Sequence, residues 1–247
     1  MFRSWAERMS RGVVLKRRLP RGLHSRPIFV SPDSALRFWR YNLEAVDPEL
    51  LRMASEIVNP GDVVWDIGAN VGLFAFAAAV RAGTEGQVLA VEPDPWLSNL
   101  LRRSTQLRNS DEAPVHVLPV AVSDSLAVAN LNIAARGRSA NYISGFGTTQ
   151  TGGKRDLLPA ISVTLDWLLK FFPPPTVLKI DVEAMEGPAL RGAGEVLRTH
   201  PKIIIEVARE SFVEVSSLLN DYKLLNYDLK TAAHDQSCNI VALPSSS

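Results

Sequence analysis

An apolar strand that ends in an acid and runs into a glycine turn constrains this chain more than any other feature. The segment Val63 to Ile67 is apolar apart from Asp66, and an alanine-rich stretch follows the turn residues Gly68, Asn70 and Gly72. This pattern predicts a buried strand, a tight turn and a buried helix, with Asn70 as the helix cap. Because glycine has no β-carbon, we expect a ligand to approach the backbone at the turn, where free amides favour a carboxylate or phosphate.

The spacing of the turn residues distinguishes between two kinds of ligand. A dinucleotide site has the pattern Gly-x-Gly-x-x-Gly, whereas this chain has Asp66-x-Gly68-x-Asn70-x-Gly72. An acid at the strand end disfavours a pyrophosphate. It suits a ligand with an ammonium group beside its carboxylate, as in the methionine part of S-adenosylmethionine, so a nicotinamide oxidoreductase is the weaker alternative.

A second strand, Gln87 to Val91, ends in another acid, Glu92. A carboxylate at this place can hold both hydroxyls of a ribose, although Glu92 and Asp94 could also serve only to cap and solvate a helix. Asp94 and Pro95 are typical of the cap and first residue of a helix. Two acids at successive strand ends favour a binding site over packing alone.

Length and composition predict one large α/β domain. The chain has 247 residues, of which 46% are hydrophobic and 21% are charged, as in ordinary globular proteins. Its single cysteine, Cys238, excludes an internal disulfide and a thiolate metal cluster, and it fits a reducing compartment. We therefore expect a cytoplasmic protein, and we assign no metal site.

The first 26 residues carry most of the positive charge. They hold eight basic residues and one acidic residue, a net charge of +7, which leaves −6 for the rest of a chain whose total is +1. Such a segment could bind nucleic acid or an anionic membrane, remain solvated, or lie across the acidic remainder of the chain. We divide the chain into a basic N-terminal extension, residues 1–43, and a catalytic domain, residues 44–247. No apolar run is long enough for a membrane span.

Strands and helices alternate after a helix that begins at Asp47 and Pro48. This alternation predicts a doubly wound, mostly parallel sheet with right-handed crossovers. Residues 144–156 are predicted to be a surface loop. The further predicted strands are Val115 to Val122, Leu126 to Ala134, Tyr142 to Ile143, Thr176 to Ile180 and Ile203 to Ile205, followed by the antiparallel pair Leu224 to Tyr227 and Asn239 to Leu243.

A second group of acids follows the strand that ends at Ile180. Asp181 and Glu183 alternate along an extended backbone and can face the same side, and Glu186 lies one helical turn beyond. Ligands of open α/β sheets bind beyond the carboxyl ends of the strands, so Asp66, Glu92, Asp181 and Glu206 are predicted to face one crevice. These carboxylates could bind an ammonium, orient a hydroxyl or act as a general base. Alternatively, they only stabilise a helix start.

Five motifs in register resemble those of the FkbM-type S-adenosylmethionine-dependent methyltransferases over about residues 44–210. They are Val63 to Leu73, Val91 to Pro93, Ala121 to Asp124, Val163 to Asp166, and Lys179 to Glu183 with Glu186. The resemblance implies a class I, Rossmann-like methyltransferase fold with a seven-stranded sheet and an antiparallel C-terminal strand. It implies that the cofactor S-adenosylmethionine contacts Asp66, Gly68, Asn70, Gly72 and Glu92, with its adenine near Ala121, Ser123 and Asp124.

One position departs from the family pattern. The family usually has glycine after the second acid of the motif Lys179 to Glu183, and this chain has Ala184. If the turn needs a positive φ there, alanine is strained.

These observations predict an O-methyltransferase that acts on a hydroxyl of a sugar, glycan or small natural product. Asp181 and Glu183 are the candidates for positioning the acceptor or removing its proton, and Asp181 could instead bind the cofactor's ammonium. The alternatives are an RNA ribose methyltransferase anchored by the basic segment and a non-catalytic binding module. We expect acceptor specificity to lie in the N-terminal extension, residues 31–47 and residues 126–156, and the sequence predicts no oligomeric state.

Overall fold

A central sheet of seven strands dominates the computed structural model, which describes residues 2–145, 153–226 and 237–245. The strands, numbered in chain order, are β1 Leu15–Arg18, β2 Pro27–Val30, β3 Val63–Ile67, β4 Gln87–Val91, β5 Val115–Leu118, β6 Ala121–Val122, β7 Ala127–Ala134, β8 Tyr142–Ile143, β9 Lys154–Val163, β10 Val177–Ile180, β11 Lys202–Ala208, β12 Tyr222–Asn226 and β13 Ser237–Pro244. The α-helices are α1 Phe2–Met9, α2 Pro48–Ile57, α3 Leu73–Ala82, α4 Pro95–Thr105, α5 Leu165–Leu168, α6 Glu186–Arg191, α7 Gly194–Arg198 and α8 Phe212–Leu218.

The central sheet has the strand order β12-β13-β11-β10-β3-β4-β5. Strands β11, β10, β3, β4 and β5 pair in parallel, and β13 pairs antiparallel with both β11 and β12. All four residues of β10 are buried, as expected for a central strand covered on both faces. The predicted doubly wound sheet with an antiparallel C-terminal strand is confirmed. Tyr227, the last residue of one predicted strand, lies outside the described residues.

A second sheet of four strands, in the order β6-β9-β7-β8, lies beside the first. The prediction of one strand from Val115 to Val122 is wrong, because β5 belongs to the central sheet and β6 to the second sheet. Pro119 lies between them and has no N–H to continue a ladder. The predicted strand from Leu126 to Ala134 is confirmed as β7, and the predicted strand from Tyr142 to Ile143 is confirmed as β8.

The prediction of a loop over residues 144–156 is also wrong at its end. Strand β9 already begins at Lys154 and pairs antiparallel with β7 over most of its length. The start of this strand is charged and its middle holds Pro159, so the alternation that marks a strand is weak there. Residues 146–152 of the predicted loop lie outside the described residues.

The segment before residue 44 packs into the body of the protein. Leu19, Leu23, Ile28 and Val30 are buried and belong to the same apolar cluster as α3. The antiparallel pair β1 and β2 holds this segment against α4. A domain boundary at residue 43 therefore stays a prediction. The packing shows that the extension lies against the rest of the same chain.

A buried ion pair anchors the extension. Arg26 and Glu112 are both fully buried, with Arg26 Nε 2.5 Å from Glu112 Oε2. The guanidinium also lies 4.1 Å from the centre of the Phe76 ring. Burial lowers the pKa of Arg26 below its usual value, although Glu112 opposes that shift, and an arginine stays charged in either case. Among the described residues, no helix has the length and apolar character needed to cross a membrane.

Candidate active site

A cavity of about 610 Å³ opens beyond the carboxyl ends of the central parallel strands. This volume lies within the usual range for small-molecule sites, roughly 300–1,000 Å³. The strand-end acids Asp66, Glu92, Asp181 and Glu206 all line the cavity. The prediction that the four acids face one crevice is confirmed.

The glycines of the turn after β3 are closely surrounded by other atoms of the protein. Gly68 has φ +79°, and a β-carbon there would lie 1.9 Å from the carbonyl oxygen of Asp181. Gly72 has φ +87°, and its β-carbon would lie 2.5 Å from the Phe76 ring. The protein's own atoms occupy the space of both missing β-carbons, which lets β3 approach β10 and lets the turn pack on α3. The approach of a ligand to the backbone at Gly68, which lines the cavity, stays a prediction. Gly72 does not line the cavity.

Asn70 holds the turn together and does not cap the helix. Its φ is +53°, a conformation that asparagine tolerates, and the cap of α3 is Gly72. The Asn70 N–H donates to Glu92 Oε2 at 2.8 Å, and Asn70 Oδ1 accepts from Ser34 Oγ at 2.5 Å. The predicted capping role is wrong, because the side chain bonds to the N-terminal extension instead.

Glu92 is buried and receives backbone hydrogen bonds on both oxygens. Oε1 accepts from the Asp94 N–H at 2.9 Å, and Oε2 accepts from the Asn70 N–H. Each oxygen keeps a second lone pair, so both can still accept from hydroxyl groups. Burial raises the pKa of Glu92 to about 8, against the opposing effect of the two N–H donors. A ligand that donates hydrogen bonds to this carboxylate favours its ionised form.

The buried Lys179 of β10 forms an ion pair with Asp66 of β3. Lys179 Nζ lies 3.0 Å from Asp66 Oδ1 and 3.1 Å from Asp181 Oδ2. Burial opposes a charged lysine, but the two carboxylates outweigh it and raise the pKa of Lys179 above its usual value. Burial also raises the pKa of Asp66, and Lys179 opposes that shift. Asp66 Oδ2 has no partner among the described residues, which leaves one buried acceptor for a ligand that donates hydrogen bonds.

Three glutamates crowd the Asp181 end of the cavity. Glu183 is exposed and lines the cavity. Partial desolvation, together with the charges of Asp181, Glu206 and Glu186, raises its pKa to about 7. Burial likewise raises the pKa of Glu186 to about 7. The pKa of Glu206 is raised by burial and by Asp181, although Ser237 Oγ donates to it at 2.6 Å. A carboxyl with a pKa near 7 suits a general base at neutral pH.

Ala184, which follows Glu183, has the positive φ that the glycine usual in the family suggests. Ala184 has φ +58°, in the left-handed region that favours glycine. Alanine in this region costs roughly 1–2 kcal/mol. The turn that presents Glu183 is therefore strained.

Of the three residues predicted to lie near the adenine, one lines the cavity and two do not. Ala121 lines the cavity. Ser123 and Asp124 do not, and Asp124 Oδ2 instead pairs with Arg191 Nη2 at 2.9 Å. Hydrogen bonds from Arg191 lower the pKa of the exposed Asp124 carboxyl. The cavity therefore brings together all the predicted site residues except Gly72, Ser123 and Asp124.

The remaining wall of the cavity comes from the segments where acceptor specificity was expected. We call this surface the acceptor wall. Its residues are Ala35, Arg37, Phe38, Val46, Asp47, Arg138, Ser139, Asn141, Tyr142 and Ile143. Arg138 connects the acceptor wall to neighbouring segments: Nη1 lies 2.6 Å from Asp94 Oδ2, and Nε lies 3.1 Å from Asp33 Oδ2. Its guanidinium also covers the Trp96 ring at 4.8 Å.

Sequence reasoning missed Arg138 because no local pattern marks it. Its two carboxylate partners lie 105 and 44 residues earlier in the chain. Asp94 could have indicated such a partner. Its Oδ1 caps α4 by accepting from the Trp96 N–H, so its Oδ2 is left to bind another group.

A nucleotide-type cavity at the strand ends of a doubly wound sheet, with acids after β3 and β4, defines a class I S-adenosylmethionine-dependent methyltransferase. The sequence profile of the Methyltransferase FkbM domain matches residues 66–228. The chain belongs to this family, as its motifs indicated.

The chain is similar to several known proteins. Hexuronic acid methyltransferase AglP from Haloferax volcanii is 29% identical over 198 residues, which cover 78% of this chain and 75% of that protein. A solved structure from Clostridium thermocellum, whose proposed activity is rRNA methylation, has a TM-score of 0.50 at 14% identity and covers 81% of this chain and 95% of its own. A methyltransferase FkbM from Methylobacillus flagellatus has a TM-score of 0.48 at 18% identity, covering 77% and 50%. The Clostridium structure supports the fold alone.

Proposed function

We propose that the protein methylates a hydroxyl oxygen of a sugar. The observation that carries this proposal is Glu183, whose carboxyl has a pKa of about 7 and lines the same cavity as the residues predicted to bind the cofactor. A hydroxyl must lose a proton as it is methylated, so a proton acceptor in this cavity matches the reaction. The similarity to a hexuronic acid methyltransferase supports a sugar as the acceptor.

The cavity residues fit S-adenosylmethionine. The unpartnered Asp66 Oδ2 can accept from an ammonium, and the two oxygens of Glu92 can accept from ribose hydroxyls. Ala121 lines the cavity, and its apolar side chain suits contact with the adenine. When bound, S-adenosylmethionine supplies an activated methyl group to a nucleophilic oxygen.

The protein's own residues have separate roles in the proposed mechanism. Lys179 fixes Asp66 and Asp181 by its two ion pairs, so the cofactor end of the cavity is organised before a ligand binds. Glu183 accepts the proton that the acceptor hydroxyl loses. Asp181 orients the hydroxyl or the ammonium, because its carboxylate is partly exposed to the cavity.

Nucleic acid and anionic membranes are weaker candidates as partners of the basic segment. Arg26 is buried against Glu112, Arg17 Nε donates to the carbonyl oxygen of Arg40 at 3.2 Å, and Arg18 Nη1 donates to that of Ser25 at 3.0 Å. These arginines stabilise the extension itself. We also propose the cytoplasm as the compartment, since a reducing environment suits the single cysteine.

Methyl transfer tests the proposal directly. The purified protein is incubated with methyl-labelled S-adenosylmethionine and either a panel of neutral and acidic sugars or RNA, and O-methyl products are identified by mass spectrometry. We expect label on a sugar hydroxyl and none on RNA. Asp66→Asn is expected to weaken cofactor binding in calorimetry, and the exposed Asp221→Asn is the control. Label on RNA alone, or no cofactor binding by the wild type, would refute the proposal.

A further inference from the structure

Three cationic side chains line the cavity, and they differ in what they already bind. Lys179 lies between Asp66 and Asp181, as described above. Arg138 likewise lies between two carboxylates on the acceptor wall. Within the described part of the chain, Arg37 differs from both, because it has one ion pair and its side chain is 49% exposed.

The position of Arg37 is fixed by its neighbours. It lies in a short 3₁₀ helix, Leu36–Trp39, which the buried Phe38 anchors in the core. Arg37 Nη1 lies 3.2 Å from Asp47 Oδ2, and Asp47 is itself held in place because Oδ1 accepts from the Leu50 N–H at 3.0 Å. The ion pair engages one nitrogen of the guanidinium. Nε and Nη2 remain as donors, and Arg37 lines the cavity.

The rest of the cavity wall repels anions. Besides Asp47, the acidic residues of the wall are Glu49, Asp66, Glu92, Asp181, Glu183 and Glu206. A negatively charged group on an acceptor is repelled by those of these carboxyls that are ionised, and none of them offers it a positive charge. Among the described residues, Arg37 is the cavity cation whose Nε and Nη2 edge makes no ion pair, whereas Arg138 Nε and Lys179 Nζ already pair with carboxylates. An anionic acceptor therefore has one favourable orientation.

We propose that Arg37 binds a carboxylate of the acceptor, which makes the acceptor an acidic sugar and sets which of its hydroxyls faces Glu183. This inference rests on the proposed sugar methylation. A planar guanidinium with one open edge matches a carboxylate, which accepts two parallel N–H bonds. A diphosphate carrier would need more cations than this wall offers.

The test uses two sugars that differ only at the carboxylate. Binding of methyl glucuronide and methyl glucoside is measured by calorimetry on the protein saturated with S-adenosylhomocysteine. We expect the wild type to prefer the glucuronide about ten- to hundredfold, the gain typical of a charge-assisted bidentate contact. Arg37→Gln should remove this preference, and Arg37→Lys should keep part of it. The exposed surface variant Arg198→Gln is the matched control and should keep all of it.

Binding separates this inference from the proposed function. A wild type that binds the glucuronide through Arg37 but transfers no methyl group would retain the inference and refute the proposed activity. Equal affinity of the wild type for both sugars, including no affinity for either, would overturn the inference. Full preference in Arg37→Gln, or tighter binding of glucose 1-phosphate than of the glucuronide, would also overturn it.

Discussion

The cofactor end and the acceptor wall of the cavity are built in different ways. The cofactor end consists of short contiguous motifs after β3, β4 and β10, whose backbones approach so closely that Gly68 has no space for a β-carbon. The acceptor wall comes from parts of the chain about 100 residues apart, residues 35–47 and 138–143. Arg138 and Ser139 donate backbone hydrogen bonds to Asp33 and Ser34, just before the first part, and Arg138 also forms ion pairs with Asp33 and Asp94.

We infer from this difference that the cofactor end is common to the family and that the acceptor wall can vary. Backbone geometry at strand ends depends on the whole sheet, so it tolerates little change. Side-chain ion pairs between loops can be exchanged without altering the sheet. We therefore expect substitutions at the cofactor end to affect every acceptor equally, and substitutions on the acceptor wall to change acceptor choice.

The largest effect is expected at Glu183, where the two ends meet. Glu183→Gln should lower turnover about 100- to 10,000-fold, the range for a lost general base. Affinity for S-adenosylhomocysteine, measured by calorimetry, should stay close to that of the wild type. The surface variant Glu195→Gln should retain turnover. If Glu183→Gln keeps turnover within threefold of the wild type, the carboxyl is not the base.

The pKa of Glu183 adds a pH dependence to this prediction. The base must be ionised, so wild-type turnover should rise with pH through about 7. Stability should change in the opposite direction, because a carboxyl whose folded pKa is raised binds more protons in the folded state. This contribution is present below the unfolded pKa, roughly 4.3, and is lost as pH rises through about 7. Thermal melting at pH 8 should therefore find Glu183→Gln at least as stable as the wild type.

At the cofactor end, Glu92→Ala is expected to weaken S-adenosylmethionine binding by about 2–3 kcal/mol, since it removes hydrogen bonds to a charged group. Calorimetry on the folded variant measures the loss, with the exposed Glu85→Ala as control. The comparison predicts the same loss whichever sugar is present. Unchanged affinity would show that Glu92 only supports the turn at Asn70.

On the acceptor wall, Arg138→Met should leave Asp94 and Asp33 without their shared cation. We expect the free energy of unfolding to fall by about 2 kcal/mol, less than for a fully buried pair because other donors still reach Asp94. KM for the acceptor should rise more than KM for the cofactor. Arg136→Met, two residues away and exposed, is the control. An equal rise in both constants would contradict the separation into two ends.

The smallest effect concerns backbone strain beside Glu183. Ala184→Gly should raise the free energy of unfolding by about 0.5–1 kcal/mol, because relief of the left-handed conformation exceeds the entropy that glycine loses. Ala127→Gly, in the exposed part of β7, should change stability in the opposite direction. Denaturant titration of both variants checks the two signs, and a destabilised Ala184→Gly would show that the turn is not strained.

The sequence predicted the elements whose signals are local. The strand Val63–Ile67 and the caps at Asp47 and Asp94 with prolines after them all follow from patterns within a few residues. The pairing of Arg138 with Asp33 did not follow, because nothing near either residue indicates a partner 105 positions away.

Glycine shows a second limit of sequence reasoning. The pattern correctly indicated that Gly68 and Gly72 need glycine, but it could not tell whether a ligand or the protein fills the space of the missing β-carbon. That depends on how closely β10 approaches β3, which only the assembled sheet determines. Ala184 gave more information, because its departure from the family pattern predicted strain that its φ of +58° bears out.

Because Arg26 of the extension and Glu112 of the body form a buried ion pair, we expect the two parts of the chain to be inherited together. A chain cut down to the matched family region would keep Glu112 buried without its counter-charge, and it would expose the apolar surface that Leu23 and Ile28 cover. A body from one relative joined to an extension from another would lose the pair unless both residues came along. This part of the protein can therefore change in evolution only by coordinated substitutions on both sides of the contact.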